Sequence, residues 1–129
     1  MTNHVHLVFR SAGKEKPETI LKGIKSFSSG KLAEAIKENP QESRRDWLLE
    51  SIAKAGQRSS NVKNYQFWRH DNKPIELWSN KVISEKIRYI HQNPVEEGLV
   101  FYPEDYLYSS ALDYAKKKGI LEDVFVVGI

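Results

Sequence analysis

The chain has 129 residues, with 20 Lys and Arg against 17 Asp and Glu, a net charge of +3 and no cysteine. This length predicts a single domain over residues 1–129, large enough to bury a core without a disulfide or a structural zinc. The lack of cysteine excludes iron–sulfur clusters, cysteine-ligated zinc and a thiol nucleophile. The sequence has neither an apolar run of membrane-spanning length nor a signal-peptide pattern, so we expect a cytoplasmic protein with no membrane partner. The mildly basic charge is compatible with a polyanionic partner but does not require one.

The chain opens with a predicted strand followed by a helix. Side chains alternate over residues 3–9, which places His4 and His6 on one face and apolar side chains on the other. A helix is expected from Pro17, a residue suited to the first turn. Glycines and serines weaken this helix, so it can break near Gly30.

A second helix and an aromatic hairpin are predicted next. The helix runs from about Ser43, a suitable N-cap residue, to Gly56. Residues 65–68 and 75–78 then form two short runs with strand character, joined by a polar turn. We expect them to pair as a β-hairpin.

The pattern in the last third of the sequence predicts two helices and a closing strand. Asn80 can cap a helix that runs to about Gln92, and Pro94 disfavours its continuation. A short helix over residues 106–118 and a strand over residues 124–127 follow. The resulting order, β-α-α-β-β-α-α-β, predicts an α+β domain with an antiparallel sheet and helices packed on it.

The pair His4 and His6 is the first candidate for chemistry. Residues two apart on a strand point the same way, with Cβ atoms about 7 Å apart. Two neutral imidazoles at this spacing can share a divalent cation. The alternative is an ordinary pair of surface or interface histidines, so the pair needs support from elsewhere in the chain.

The predicted helix from Asn80 supplies that support. At 100° per residue, Tyr89 and Asn93 lie one turn apart on a stripe beside the apolar one. A tyrosine placed there can act as a nucleophile with a carboxamide metal ligand next to it. The alternative is a half-buried tyrosine whose hydroxyl finds a partner at the edge of the core.

Taken together, these segments resemble a known family. Residues 3–7, Asn-His-Val-His-Leu, resemble the His-hydrophobic-His motif of the HUH single-strand endonucleases. Residues 87–100, with Tyr-Ile-His-Gln-Asn-Pro-Val followed by Gly-Leu-Val, resemble the catalytic helix of the single-tyrosine transposases of the insertion-sequence 200 type, particularly the REP-associated branch. Residues 103–106 and 109–111 are similar to the tail of the same family. The resemblance extends over residues 3 to about 115.

The resemblance implies a single-stranded DNA endonuclease and strand transferase of DNA transposition. His4, His6 and Asn93 would hold a divalent metal, Mg²⁺ or Mn²⁺, against the scissile phosphate. Tyr89 would attack the phosphorus, giving a 5′-phosphotyrosine and a free 3′-hydroxyl. The imidazole ligands suit Mn²⁺ at least as well as Mg²⁺.

The DNA partner is expected to be single-stranded or to form a hairpin. Basic groups beside aromatic rings suit such strands, because cations hold the phosphates while bases stack on the rings. The candidate contacts on the first helix and the predicted hairpin are Lys22, Lys25, Lys31, Arg69 and Lys73. Against this, the three lysines do not share one helical stripe. The alternative is that the large apolar residues of the hairpin form its core. These residues are Phe67, Trp68, Leu77 and Trp78.

One departure from the family concerns the start of the sheet. Family members usually place a strand and a helix before the His-x-His strand, and Thr2 stands where the family has proline. We therefore expect a ferredoxin-like, HUH-type sheet that lacks the family's first strand and helix and exposes the edge of strand 3–9. A second copy can cover this edge in a homodimer, or residues 124–127 can replace the missing strand. Otherwise His4 and His6 become mobile and activity falls.

Three functions remain open from the sequence. The first is the active DNA-nicking and joining enzyme. The second is a catalytically inactive module of the same family that binds DNA hairpins. The third is a protein without a nucleic-acid role, in which the histidines and Tyr89 are structural.

Overall fold

The computed structural model describes residues 3–58, 65–122 and 124–128. Its helical elements, in chain order, are α1 (Pro17–Glu38), α2 (Arg45–Gln57), α3 (Asn80–Glu96), a 3₁₀ turn (Pro103–Asp105) and α4 (Ala111–Tyr114). The chain divides into two compact units. The α1–α2 unit is Arg10–Pro74, and the α3–α4 unit combines Met1–Phe9 with Ile75–Ile129. The single domain expected from the length stays a prediction. Within the described residues, no helix combines the length and apolar character needed to cross a bilayer.

The predicted α+β fold is wrong. The described part of the chain is helical and contains no strand, so the antiparallel ferredoxin-like sheet is not formed there. Residues 3–9 have no regular secondary structure, and Val5 and Leu7 remain 61% and 53% exposed. Alternation of side chains gives a segment two faces, but a strand also needs a neighbour whose N–H and C=O groups complete the ladder. The homodimer expected through the edge of this strand therefore stays a prediction, without a sheet edge to support it.

The predicted hairpin is also absent. Residues 65–68 and 75–78 are not paired, and they belong to different units. The Gln66 N–H donates to the carbonyl of Ile52 on α2 at 3.0 Å. Trp68 Nε1 donates to Ser28 Oγ on α1 at 2.8 Å. The first arm is therefore held by helices rather than by the second arm.

The hairpin core expected from the aromatic residues is only partly buried. Phe67 and Trp68 are half-buried and their rings meet edge to face, with centroids 5.2 Å apart. Trp78, by contrast, is 79% exposed. Without the hairpin, the second arm has no partner that would cover this indole.

The α1–α2 unit is built on two packed helices. Pro17 opens α1 as expected, and the helix continues through Gly30 without a break. α2 begins at Arg45 rather than at Ser43, and its N-cap Arg44 makes no side-chain capping bond. Ala33 on α1 and Ile52 on α2 are buried, so small and branched apolar side chains form this part of the core.

α3 begins and ends differently from the prediction. Its N-cap is Ser79, whose Oγ accepts the Val82 N–H at 3.3 Å, so Asn80 is the first helical residue. The helix passes through Pro94 and ends at Glu96. A proline costs an α-helix one hydrogen bond and some strain, and here less than one turn of helix follows it. The chain then reverses at Gly98, whose φ of +69° is accessible to glycine at little cost.

The helix predicted over residues 106–118 is replaced by the 3₁₀ turn and the single turn of α4. α4 stops because Lys116 adopts a left-handed φ of +58°, and the Lys117 N–H bonds to the Leu112 carbonyl at 2.9 Å. The strand expected over residues 124–127 is not formed either. Instead the Val127 N–H donates to the Tyr114 hydroxyl at 3.1 Å, which ties this segment to α4.

Candidate functional site

Tyr89 lies on α3 outside the helix's apolar stripe, as the helical periodicity predicts. Ile87 is buried at 6% exposure, whereas Tyr89 is 51% exposed. Lys86, one turn before Tyr89, places its Nζ 5.9 Å from the centre of the tyrosine ring. The phenol is therefore accessible to a substrate and has a cation beside it.

The α3–α4 unit brings both predicted histidines to this tyrosine. The rings of His4 and His6 meet edge to face, with centroids 4.9 Å apart and planes at 87°. The ring of His6 meets Tyr89 in the same manner, with centroids 5.7 Å apart. His6 thus lies between His4 and Tyr89, although more than 80 residues separate His6 from Tyr89 in the chain.

His6 has a lowered pKa and an unused ring nitrogen. Its burial, reinforced by the neighbouring charge of His4, lowers the pKa of His6 below the ordinary value. The His6 Nε2 is buried and has no hydrogen-bond partner among the described residues. A buried polar atom without a partner costs free energy, and a lone pair on a neutral imidazole is the donor that transition metals prefer.

The tautomer of His4 follows from its neighbour. His4 Nδ1 lies 2.6 Å from Asn3 Oδ1. An amide oxygen only accepts hydrogen bonds, so His4 Nδ1 carries a proton and Nε2 is the nitrogen left for a metal. Metal-binding histidines are typically oriented by such a bond from the other ring nitrogen.

Asn93 is the third predicted ligand and lies one turn after Tyr89 on α3. It is the only buried polar residue among those described, at 7% exposure. Two imidazoles and an amide are a donor set that suits Mn²⁺. The described residues contain no group of three or more His, Asp or Glu that could hold a metal, so the amide would have to complete the set.

The predicted DNA contacts all belong to the α1–α2 unit, and two of them are already engaged. Lys25 Nζ donates to the Arg69 carbonyl at 2.6 Å and also to Asn72 Oδ1. Lys31 pairs with Glu34 at 2.9 Å. The side chains of Lys22, Arg69 and Lys73 are exposed. Lys25 therefore fastens residues 69–72 to α1, a role that its position in the sequence does not suggest.

One histidine of α3, His91, has partners that the sequence does not predict. His91 Nε2 lies 3.0 Å from Ser110 Oγ, and its ring meets Tyr114 edge to face at 5.0 Å between centroids. Burial lowers the pKa of His91. Its place between Tyr89 and Asn93 in the motif was the available signal, but its partners lie 19 and 23 residues further along the chain.

The chemistry of this site follows from its own side chains. In the α3–α4 unit the His6 ring contacts both His4 and Tyr89, and a buried amide lies one turn further along α3. The His6 Nε2 is buried and has no hydrogen-bond partner among the described residues, and the Tyr89 phenol is accessible. Compared with protein-family models, curated proteins and solved structures, the chain matches none of them.

Proposed function

We propose that this chain nicks and rejoins single-stranded DNA with a tyrosine nucleophile and a divalent metal, as in the single-tyrosine transposases that its motifs resemble. The observation that supports the proposal is the position of His6, in ring contact with both His4 and Tyr89. A shared site needs these three side chains to lie together, and the contacts of His6 meet that need.

The histidine pair and Asn93 are the residues that would hold the metal. The unused His6 Nε2 and the free Nε2 of His4 fit this role, and the buried Asn93 amide is the third donor. When bound, a divalent cation would polarise a phosphoryl oxygen and offset its developing charge. Either Mg²⁺ or Mn²⁺ can serve, and the nitrogen donors favour Mn²⁺.

Tyr89 would carry the covalent step. Its oxygen forms a bond to the phosphorus as the bond from phosphorus to the 3′-oxygen breaks. The proton of the phenol is lost and the departing 3′-oxygen gains one, so the products are a 5′-phosphotyrosine and a 3′-hydroxyl. Lys86 places its Nζ 5.9 Å from the centre of the tyrosine ring, and a positive charge near the ring favours the phenolate that forms. The reverse attack by a 3′-hydroxyl restores Tyr89 and rejoins the strand.

The experiment that tests the proposal is covalent trapping. The full chain is incubated with labelled single-stranded hairpin DNA and Mn²⁺, and the products are separated on a denaturing gel. We expect an adduct with the intact chain, none with Tyr89→Phe, and an undiminished adduct with Tyr108→Phe. Tyr108 is the matched control because it is an exposed tyrosine outside the site.

Two other results would overturn the proposal in different ways. DNA binding without any adduct would favour the inactive hairpin-binding module. No binding even at low ionic strength would exclude both DNA functions, because phosphate contacts strengthen as salt is removed. An adduct that survives Tyr89→Phe would show that another residue is the nucleophile.

A further inference from the structure

A depression lies beside α3 in the α3–α4 unit, and the face of α3 that lines it does not include Tyr89. Its volume is about 410 Å³ and it is open to solvent. The buried Ile87 and Ala111 contribute its apolar lining, and its polar lining includes Arg88, Gln92, Glu104 and Tyr114. The volume falls within the range of about 300–1,000 Å³ that is typical of small-molecule sites.

The polar groups of this depression are available for a ligand. Arg88, Gln92 and Glu104 have no side-chain hydrogen bond or ion pair within the described part of the chain. Arg88 offers donors, Glu104 offers acceptors, and Gln92 offers both. His91 also lines the depression but already bonds to Ser110.

These properties select one class of ligand. The positive charge of Arg88 and the negative charge of Glu104 offset one another, which disfavours a phosphate as the occupant. Apolar side chains and the Tyr114 ring favour a ligand with an apolar surface. The unused donors and acceptors at the rim favour a ligand with both kinds of polar group. A nucleobase combines an aromatic face with donors and acceptors along its edge.

We propose that the depression binds one unpaired base of the strand that is cut at Tyr89. This inference rests on the proposed function and adds a recognition subsite to it. Arg88 directly precedes Tyr89 on α3, and Gln92 follows three residues later, so both lie within one helical turn of the nucleophile. Tyr89 and Gln92 are i, i+3 neighbours on the surface of α3, so a single strand that places a phosphate at Tyr89 can place a neighbouring base against Gln92 in the depression.

An abasic scan tests this subsite. Labelled single strands of one sequence carry a single abasic nucleotide at successive positions, and their affinities for the full chain are compared. We expect one position near the scissile phosphate to bind about tenfold more weakly than the intact strand, the order found when one base contact is lost. The Gln92→Ala and Arg88→Ala variants should bind the intact strand more weakly and should lose this position dependence.

The variants and control are chosen to remain folded. Arg88 and Gln92 are exposed, so their truncation leaves the core intact, and circular dichroism checks the helix content. Gln57→Ala on α2 is the matched control, an exposed glutamine of the other unit that should retain the dependence. A flat scan, or a scan unchanged in both variants, overturns the subsite. An adduct at Tyr89 with a flat scan leaves the proposed function standing, whereas failure to bind DNA overturns both.

Discussion

The hydrogen bond from His4 Nδ1 to Asn3 Oδ1 determines which nitrogen of His4 can bind a metal. Because Asn3 Oδ1 accepts a hydrogen bond from His4 Nδ1, Nε2 is the His4 nitrogen left to bind a metal. His6 likewise keeps an unused Nε2, and burial favours its neutral form by lowering the pKa of His6. Both histidines therefore have Nε2 as the nitrogen left for a metal.

This arrangement predicts how metal affinity responds to substitution. His6→Ala should abolish Mn²⁺ binding because it removes the donor that is buried and unpaired. Asn3→Ala should weaken binding by about tenfold, since groups that orient a ligating histidine typically contribute at least that much. Both effects are measured by titrating Mn²⁺ and monitoring the electron paramagnetic resonance signal of the free ion.

His70→Ala serves as the control, because His70 belongs to the α1–α2 unit. Its affinity for Mn²⁺ should equal that of the unmodified chain. If His6→Ala binds Mn²⁺ as tightly as the unmodified chain does, the histidine pair is not a metal site.

At the scale of the elements, α3 and α4 end in the same manner with different residues. After α3, the Leu99 N–H bonds to the Pro94 carbonyl and the Gly98 N–H bonds to the Val95 carbonyl. These are the two hydrogen bonds of a Schellman motif, with Gly98 in the left-handed position. After α4, Lys116 occupies the equivalent position at φ +58°, where a residue with a Cβ is strained.

The cap of α3 gives a stability prediction. Gly98→Ala should lower the free energy of unfolding by about 1–2 kcal/mol, because alanine disfavours the left-handed conformation. A Cβ at Gly98 would meet no atom within 4 Å, so the loss would come from the backbone alone. Urea denaturation followed by circular dichroism measures the change.

Gly30→Ala is the matched comparison. Gly30 lies inside α1, and a Cβ there also has open space around it. This substitution should raise stability by up to about 1 kcal/mol through helix propensity. Equal effects of the two substitutions would contradict the assignment of Gly98 as the cap.

The sequence predicted the helices better than the strands because a helix satisfies its hydrogen bonds locally. Pro17 and the apolar spacing of α1 sufficed to place that helix. Residues 3–9 have a strand pattern, but no local signal can supply the partner strand that the pattern requires. Pro94 predicted the end of α3 too early, because the helix continues through the proline and Gly98 marks its end.

The candidate site was predictable where its signals were periodic. Tyr89 and Asn93 share a helical stripe, and the His-x-His pattern marked His4 and His6 although the strand predicted for them is not formed. The interaction of His91 with Ser110 was not predictable, because it joins α3 to a loop whose path depends on the packing of Pro103–Asp105 and α4. The hydrogen bonds from Lys25 to Arg69 and Asn72 were not predictable for the same reason, because they also depend on the path of a loop.

At the scale of the whole molecule, the proposed roles divide between the two units. Tyr89 and the predicted metal ligands belong to the α3–α4 unit. The predicted DNA-binding cations belong to the α1–α2 unit, and among them the exposed Lys22 and Lys73 have no ion pair within the described residues. Binding of the strand and chemistry at the phosphate should therefore respond to different substitutions.

This division can be tested with charge-removing variants. Lys22→Gln and Lys73→Gln should each weaken single-strand binding and reduce the dependence of log Kd on log salt by about 0.7, the value for one phosphate contact. The rate of adduct formation at saturating DNA should stay unchanged, because neither lysine lies in the unit that holds Tyr89. Tyr89→Phe should show the opposite pattern, with normal affinity and no adduct.

Lys25→Gln separates a structural role from a phosphate contact. Since Lys25 Nζ is bound to the Arg69 carbonyl and to Asn72, its loss should lower the stability of the α1–α2 unit rather than the salt dependence of binding. Thermal unfolding and the salt titration, measured on the same variant, distinguish the two effects. A reduced salt slope with unchanged stability would show that Lys25 leaves its partners to bind a phosphate.

The division of roles between the two units has its own decisive outcome. If Lys22→Gln or Lys73→Gln lowered the rate of adduct formation at saturating DNA, the α1–α2 unit would take part in the chemistry, and the division of roles would be overturned.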